Sequence, residues 1–396
     1  WFWVLRGRIS EARELIDVAL AIPGGPASQA RAECLTWRAT FAAPADLPRS
    51  RVEALAAFDS VDAPIARARA VTRLGLATFD SGDAAAGEPM LTEGCRASAE
   101  CGDAWGEALA LVSLSKVAHI AGDLAALERR ATRAQRLFDQ LGDRWGHGEA
   151  ADWLTGLAEM TGDLDRAREI TEAVLRDAEE LGLWPSVAVR LSWLGWLAIQ
   201  RGDLAEARKF GAEAQALATE QRSAANEVFA TMVVGCTARR DGDLDEAERH
   251  LGRLRDEAAE ATDTALPHLP IVLCELGHVA ELRGNADVAK GLHVQALDLA
   301  LAHDYPRDIA MALEGAASAL VAAGGEGHGG ARAGGGAGPS RGGRAPTDAR
   351  RKRRDRPDRG PGRIDDGSRP VTARSTDTAR PCGNVLKLSS PFGLTT

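Results

Sequence analysis

The sequence predicts an all-α protein: an α-solenoid of about eight helical hairpins with a period near 40 residues over 1–323, followed by a disordered Gly/Arg/Pro-rich tail over 324–396. Three observations predict it. A Gly-Asp pair recurs at Gly82-Asp83, Gly122-Asp123, Gly162-Asp163, Gly202-Asp203 and Gly242-Asp243, each 40 residues after the last, and Gly284-Asn285 follows at 42. The residues around each pair keep a common phase, and the composition changes abruptly at Gly324. A fixed period of this length marks a repeat array in which stacked neighbours bury the apolar face that one unit cannot bury alone.

At the front, Gly7-Arg8 and the stretch around Ala45-Asp46 are weaker copies of the marker, spaced near 38. In the regular units the residue eight before the Gly is apolar: Leu74, Leu114, Leu154, Leu194, Val234, Leu276. Seven before, it is small: Gly75, Ser115, Thr155, Gly195, Gly235, Gly277. Four before come Thr78, Ala118, Ala158, Ala198, Ala238 and Ala280; five after come Gly87, Leu127, Ala167, Ala207, Ala247 and Ala289. These offsets follow helical spacing, with small residues where two helix backbones approach closely.

Each unit therefore reads as a hairpin. In LSWLGWLAIQRGDLAEARKFGAEAQALA the first helix ends near Arg201, and Gly202 can adopt the left-handed conformation that closes it. Asp203 then caps the second helix, with Glu206 three residues on as a capping-box partner; Asp123, Asp163 and Asp243 offer the same cap. A second marker, Gly102-Asp103, Gly142-Asp143 and Gly182, punctuates the turn between units, with Trp105 and Trp145 in register. Residues 308–323 read as the first helix of a last hairpin, after which GGEGHGGARAGGGAGPSRGGRAP carries too much Gly and Pro to continue as helix.

The chain of 396 residues has a formal charge of −9, which joins two unlike parts. Residues 1–323 hold 33 Lys+Arg against 50 Asp+Glu, a net −17; the tail holds 15 against 7, a net +8, with 16 Gly and 7 Pro. The acidic body is unsuited to wrapping nucleic acid or an anionic membrane, both of which need a cationic face. The tail cannot bury enough apolar surface to offset the entropy of ordering. With 43 Arg to five Lys, the coding DNA reads as GC-rich, and the tail reads either as such DNA translated out of frame or as a genuine disordered extension. No apolar run reaches the roughly 18 to 20 residues of a membrane span and no signal peptide is evident. The six Cys show no metal or disulfide spacing, so a cytoplasmic setting is expected. A chain beginning at Trp1 reads as a piece of a longer protein, with its first and last repeats incomplete.

No catalytic constellation emerges, so the chain is expected not to be an enzyme and to carry no cofactor or metal. His147 and Glu149 have the spacing that begins a zinc-deaminase site, but the Pro-Cys-x-x-Cys half is missing. Cys95 and Cys101 read as small packing residues, and His119, His250, His268, His278, His293 and His303 form no HExxH. Asp365-Asp366 lacks partner carboxylates on a helix; no GxSxG and no Gly-Lys phosphate loop occur. The basic run Arg350–Arg359 has no interleaved aromatics to stack bases. Of nine Trp, those at 153, 193 and 196 fall on first helices, and those at 105, 145 and 184 lie near the starts of units; all suit packing within or between repeats.

The phase described above resembles the tetratricopeptide repeat, at a period longer than its usual 34. The match is closer still for WFWVLRGRISEARELIDVAL (1–20), LGDRWGHGEAADWLTGLAEMTGDLDRAREI (141–170), EELGLWPSVAVRLSWLGWLAIQRGDL (179–204) and PRDIAMALEGAASALVAAG (306–324). These resemble the C-terminal repeat region of AfsR/SARP-type bacterial transcriptional regulators, which carry a bacterial transcriptional activator domain (BTAD). The resemblance implies a non-catalytic protein-interaction or sensor module, with DNA binding and ATP hydrolysis belonging to parts not in this sequence. Its partners would be a protein or peptide segment, or the effector domains of its own full-length chain. By the same mapping the groove is lined by Lys116, His119, Asp152, Glu159, Val189, Ser192, Trp196, Ile199, Met232, Arg239, Arg240, His278 and Glu281, with Trp196 exposed. That mixed surface suits a peptide more than a small polar metabolite. A stand-alone tetratricopeptide adaptor is the alternative reading; an α/α-toroid enzyme is a third, and it needs paired acidic residues at one mouth of the inner helices.

Overall fold

The computed structural model describes residues 1–22, 28–221, 223–260 and 268–329. The described residues form seventeen helices and no strand: α1 (Phe2–Leu5), α2 (Ile9–Ala21), α3 (Gln29–Thr40), α4 (Leu47–Ala56), α5 (Pro64–Asp80), α6 (Ala84–Glu100), α7 (Ala104–Ile120), α8 (Leu124–Leu141), α9 (Arg144–Thr161), α10 (Leu164–Glu180), α11 (Trp184–Arg201), α12 (Leu204–Glu220), α13 (Ala224–Asp241), α14 (Leu244–Glu260), α15 (Leu269–Leu282), α16 (Ala286–Ala302) and α17 (Pro306–Gly329). Consecutive helices pack as antiparallel hairpins, and each hairpin stacks on the next. The period of 40 is two helices of 17 or 18 residues plus two short turns.

The turns follow local chemistry. Gly82, Gly122, Gly162, Gly202, Gly242 and Gly284 all have positive φ, as do Gly102, Gly142 and Gly182 between units. Asp83, Asp123, Asp143, Asp163, Asp203 and Asp243 each accept a hydrogen bond from the backbone N–H three residues on, at 2.9 to 3.1 Å. One detail differs from expectation, and one turn departs from the common pattern. Glu206 does not complete a capping box, because its carboxylate takes a bidentate pair of bonds from Arg168 (2.5 and 2.7 Å). Asp103 makes no cap; its oxygens accept from Arg69 at 2.6 Å each. In both cases a guanidinium fork satisfies a carboxylate better than a lone backbone N–H does.

The two helices of a hairpin have different burial because they have different sequences. Second helices are amphipathic and bury one stripe: Leu127, Ala131, Ala134 and Phe138 in α8, Ala167, Thr171, Val174 and Ala178 in α10, Ala207, Gly211, Ala214 and Ala218 in α12, Ala289, His293, Ala296 and Ala300 in α16. The spacing i, i+4, i+7, i+11 is one face of an α-helix. First helices are enclosed: every residue from Val187 to Ile199 in α11 is buried, matching a segment apolar almost all round. Trp153, Trp193 and Trp196 belong to this interior.

At the far end α17 continues to Gly329, past the Gly324 where the sequence suggests a break. A helix already formed over 306–323 needs only propagation to add Gly residues at about 1 kcal/mol each, not a new nucleus. The remaining tail, with its basic run and Asp365-Asp366, lies outside the described residues. No described helix is long and apolar enough to cross a membrane.

Candidate functional site

The residues assigned to the groove all lie on first helices: Lys116 and His119 on α7, Asp152 and Glu159 on α9, Val189, Ser192, Trp196 and Ile199 on α11, Met232, Arg239 and Arg240 on α13, His278 and Glu281 on α15. Nine of them are buried, and Arg239, Arg240, His278 and Glu281 are partly exposed. Trp196, mapped as exposed, is fully buried beside Ile199 and Met232 in the largest apolar cluster. The shift has a packing cause: successive first helices lie close enough for side chains on this face to reach the next repeat and beyond.

What they reach is mostly opposite charge. Lys116 Nζ lies 2.5 Å from Asp80 on α5. Arg190 donates to Asp152 at 3.1 Å and lies 3.6 Å from Glu149, all three almost wholly buried. Arg239 donates to Glu275 on α15 at 2.5 and 3.1 Å. Gln200 donates to Glu159 at 2.7 Å, and Arg307 on α17 approaches the same carboxylate at 3.5 Å from 148 residues away. These are inter-repeat ties along the inner face.

Burial and pairing set their ionisation. Burial drives Glu149 up to about 7 and Asp152 up to about 6, the Arg190 guanidinium only partly opposing it. Glu159 is raised by burial, with Arg307 acting against the shift. Burial would raise Glu275 too, but Arg239 more than offsets it and holds the carboxyl below its ordinary value. His119 is pushed down to about 3 by burial and by Arg307, so it is a neutral ring packed on Trp153.

A second feature lies at the first repeats. A cleft of about 200 Å³ is lined by Trp1, Thr72, Arg73, Leu76, Asp80 and Ser113 among others. Beside it the Trp1 indole meets Trp37, Trp105 and Trp145 at centroid distances of 5.6, 5.2 and 5.1 Å. The Arg73 guanidinium stands over Trp37 (3.4 Å) and Trp1 (4.7 Å), and burial with Arg69 nearby lowers its pKa to about 9. Arg6 donates to the Gly182 carbonyl at 3.1 Å, and Leu5 packs on the cluster of Leu183 and Val187. Residues 1–6 thus lie against helices from repeats far along the chain, anchored by an aromatic ring.

No family model and no curated protein matches the chain. Among solved structures, a Rap protein complexed with competence and sporulation factor superposes with a TM-score of 0.55 at 14% identity, covering 81% of this chain and 95% of that one. Aspartyl phosphate phosphatase F from Bacillus subtilis superposes with a TM-score of 0.54 at 8% identity, covering 68% and 71%. At these identities the likeness is one of fold, a tetratricopeptide-like helical-repeat solenoid.

Sequence reasoning missed Arg73, Trp37 and Arg190, because their significance depends on how the array winds. His293 could have been found: it stands in α16 where the same stripe carries Leu91, Ala131, Thr171, Gly211 and Leu251. His147 and Glu149 do not converge; His147 faces Asp139 at 2.5 Å while Glu149 sits beside Arg190.

Proposed function

We propose that the chain is a non-catalytic interaction and sensor module, the repeat region of an AfsR/SARP-type transcriptional regulator working in the cytoplasm, and that its inner face takes a peptide or protein segment. The observation that carries this reading is the packing of residues 1–6 on distant repeats, with Trp1 boxed by three Trp rings under Arg73 and Arg6 on the turn at Gly182. An aromatic anchor in a desolvated pocket beside a cation is the usual centre of a peptide or protein contact. The resemblance of the four segments named above supports the regulatory context. The Rap structure, whose fold this chain shares, was solved with a bound factor, which fits a sensor role.

The test uses a chain lacking residues 1–8 and a labelled peptide, WFWVLRGR, supplied in trans. Fluorescence anisotropy is expected to show saturable binding, with affinity falling more than about tenfold in Trp37→Ala and Arg73→Ala. Absence of binding, or equal binding by both variants, overturns the site. The regulatory half is tested on the gene: an open frame upstream encoding a winged helix and a phosphate loop supports it, and a nearby in-frame start codon favours the stand-alone adaptor.

A further inference from the structure

We propose that His278, Glu281 and His293 form a binding site for a late first-row divalent cation of the Zn²⁺ type. The site goes beyond the interaction reading and does not depend on it.

The geometry comes from one hairpin. His278 and Glu281 stand three apart on α15, hence on one face, and His293 reaches them from α16. His278 Nδ1 is 3.1 Å from Glu281 Oε2, and His293 Nε2 is 3.3 Å from Glu281 Oε1. One ligand atom from each of the three residues can be chosen so that all lie within 4.8 Å of one another. Metal–nitrogen and metal–oxygen bonds of about 2.0 to 2.2 Å in a tetrahedron place neighbouring ligand atoms roughly 3.3 to 3.5 Å apart. With Glu281 Oε1 as the carboxylate ligand, its 3.3 Å separation from His293 Nε2 matches such an edge, whereas the 3.1 Å separation from His278 ends on the other oxygen, Oε2. Two imidazoles and one carboxylate select Zn²⁺ and its neighbours over Ca²⁺ or Mg²⁺, which prefer oxygen alone.

A second, independent observation is the state of His293. Its side chain is wholly buried, and neither ring nitrogen has a hydrogen-bond partner; Glu281 Oε1 is also unpartnered. Almost every buried polar group finds a partner, yet His293 Nε2 and Glu281 Oε1 face each other at 3.3 Å without the alignment of a hydrogen bond, which leaves both lone pairs free for a cation. Packing alone does not call for histidine here, since the same register carries Leu91 in α6 and Leu251 in α14. The backbone makes room for the ring: a Cβ on Gly277 would come within 2.5 Å of His293 Cε1, and a Cβ on Gly315 of α17 would collide with the same ring. Ser318 Oγ donates to Glu281 Oε2 at 3.3 Å and helps to hold the carboxylate in place. The side chains of His278 and Glu281 retain 16% and 15% exposure, so solvent reaches the cluster. Three protein ligands and one open position is the arrangement of a site that binds water or a further ligand.

The test is titration of the full metal-free chain with Zn²⁺ by calorimetry and with Co²⁺ by visible absorption. The expected result is one equivalent bound, with the intense visible bands of four-coordinate Co²⁺ and their loss on adding Zn²⁺. Affinity is expected to fall by at least about tenfold in Glu281→Gln and in His293→Leu, the latter restoring the residue used in two other repeats. Circular dichroism checks folding; if His293→Leu does not fold, Glu281→Gln and His278→Ala, both at partly exposed positions, decide. No binding at millimolar metal, or binding equal in wild type and variants, overturns the site, equal binding assigning the metal to the cysteines or to other histidines.

Discussion

Glu149 and Asp152 share one guanidinium, Arg190, in a space closed to water. Two carboxylates against one cation leave one unit of negative charge in excess, and burial resolves it by raising both pKa values. In the unfolded chain Glu149 gives up its proton near 4.5; in the folded chain it keeps it to about 7. Between those limits the native state holds the extra proton, so this cluster's contribution to stability falls as pH rises. Glu149→Gln removes the titration while leaving Asp152 to pair Arg190 at 3.1 Å. Its melting temperature is expected to gain on wild type by a few degrees between pH 5 and pH 8, read by calorimetry. A gain that shrinks over that range would refute the assignment. Of the inner-face acids, Asp152 and Glu159 were legible in the sequence, because the repeat register places both on the inner face of α9, whereas Arg190 was not. Their burial was not, because it depends on partners 38 to 148 residues away.

At the scale of the helix the sequence was most informative. A left-handed Gly and a capping Asp act within four residues, so most of the turns form as the local sequence dictates. The Asp163 cap on Arg166 N–H at 3.1 Å is solvent-facing and has no other partner to disturb. Asp163→Ala is expected to cost about 1 kcal/mol, seen as a lower urea midpoint with an unchanged slope. An unaltered midpoint would mean that the turn holds α10 without it. Asp103 and Glu206 show the limit of local reading: each had a plausible backbone partner, and each is taken by an arginine 34 or 38 residues away.

Over the whole molecule the array transmits strain mainly between neighbours. Gly195 lies where α11 meets α12 and α13; a Cβ there would stand 2.7 Å from Val233 Cγ1. Gly195→Leu is expected to cost about 1 to 3 kcal/mol or more. Hydrogen exchange should show faster opening in α11 to α14, with α5 and α6 retaining their protection. Uniform loss of protection along the chain would show instead that the repeats melt as one unit. The period and hairpin count were legible because the regular units repeat them; the packing of residues 1–6 on distant repeats was not, since nothing periodic marks it.

Among the described residues the rule of neighbours is broken by Arg307 on Glu159, by Trp1 among Trp105 and Trp145, and by Arg6 and Leu5 against Gly182 and Leu183. An ordinary stack of hairpins is a compliant spring, because no contact fixes its pitch. These contacts act as struts between turns of the coil and pin that pitch. A ligand entering the interior must therefore release or replace them, and its measured affinity will be the intrinsic one less the cost of loosening the spring.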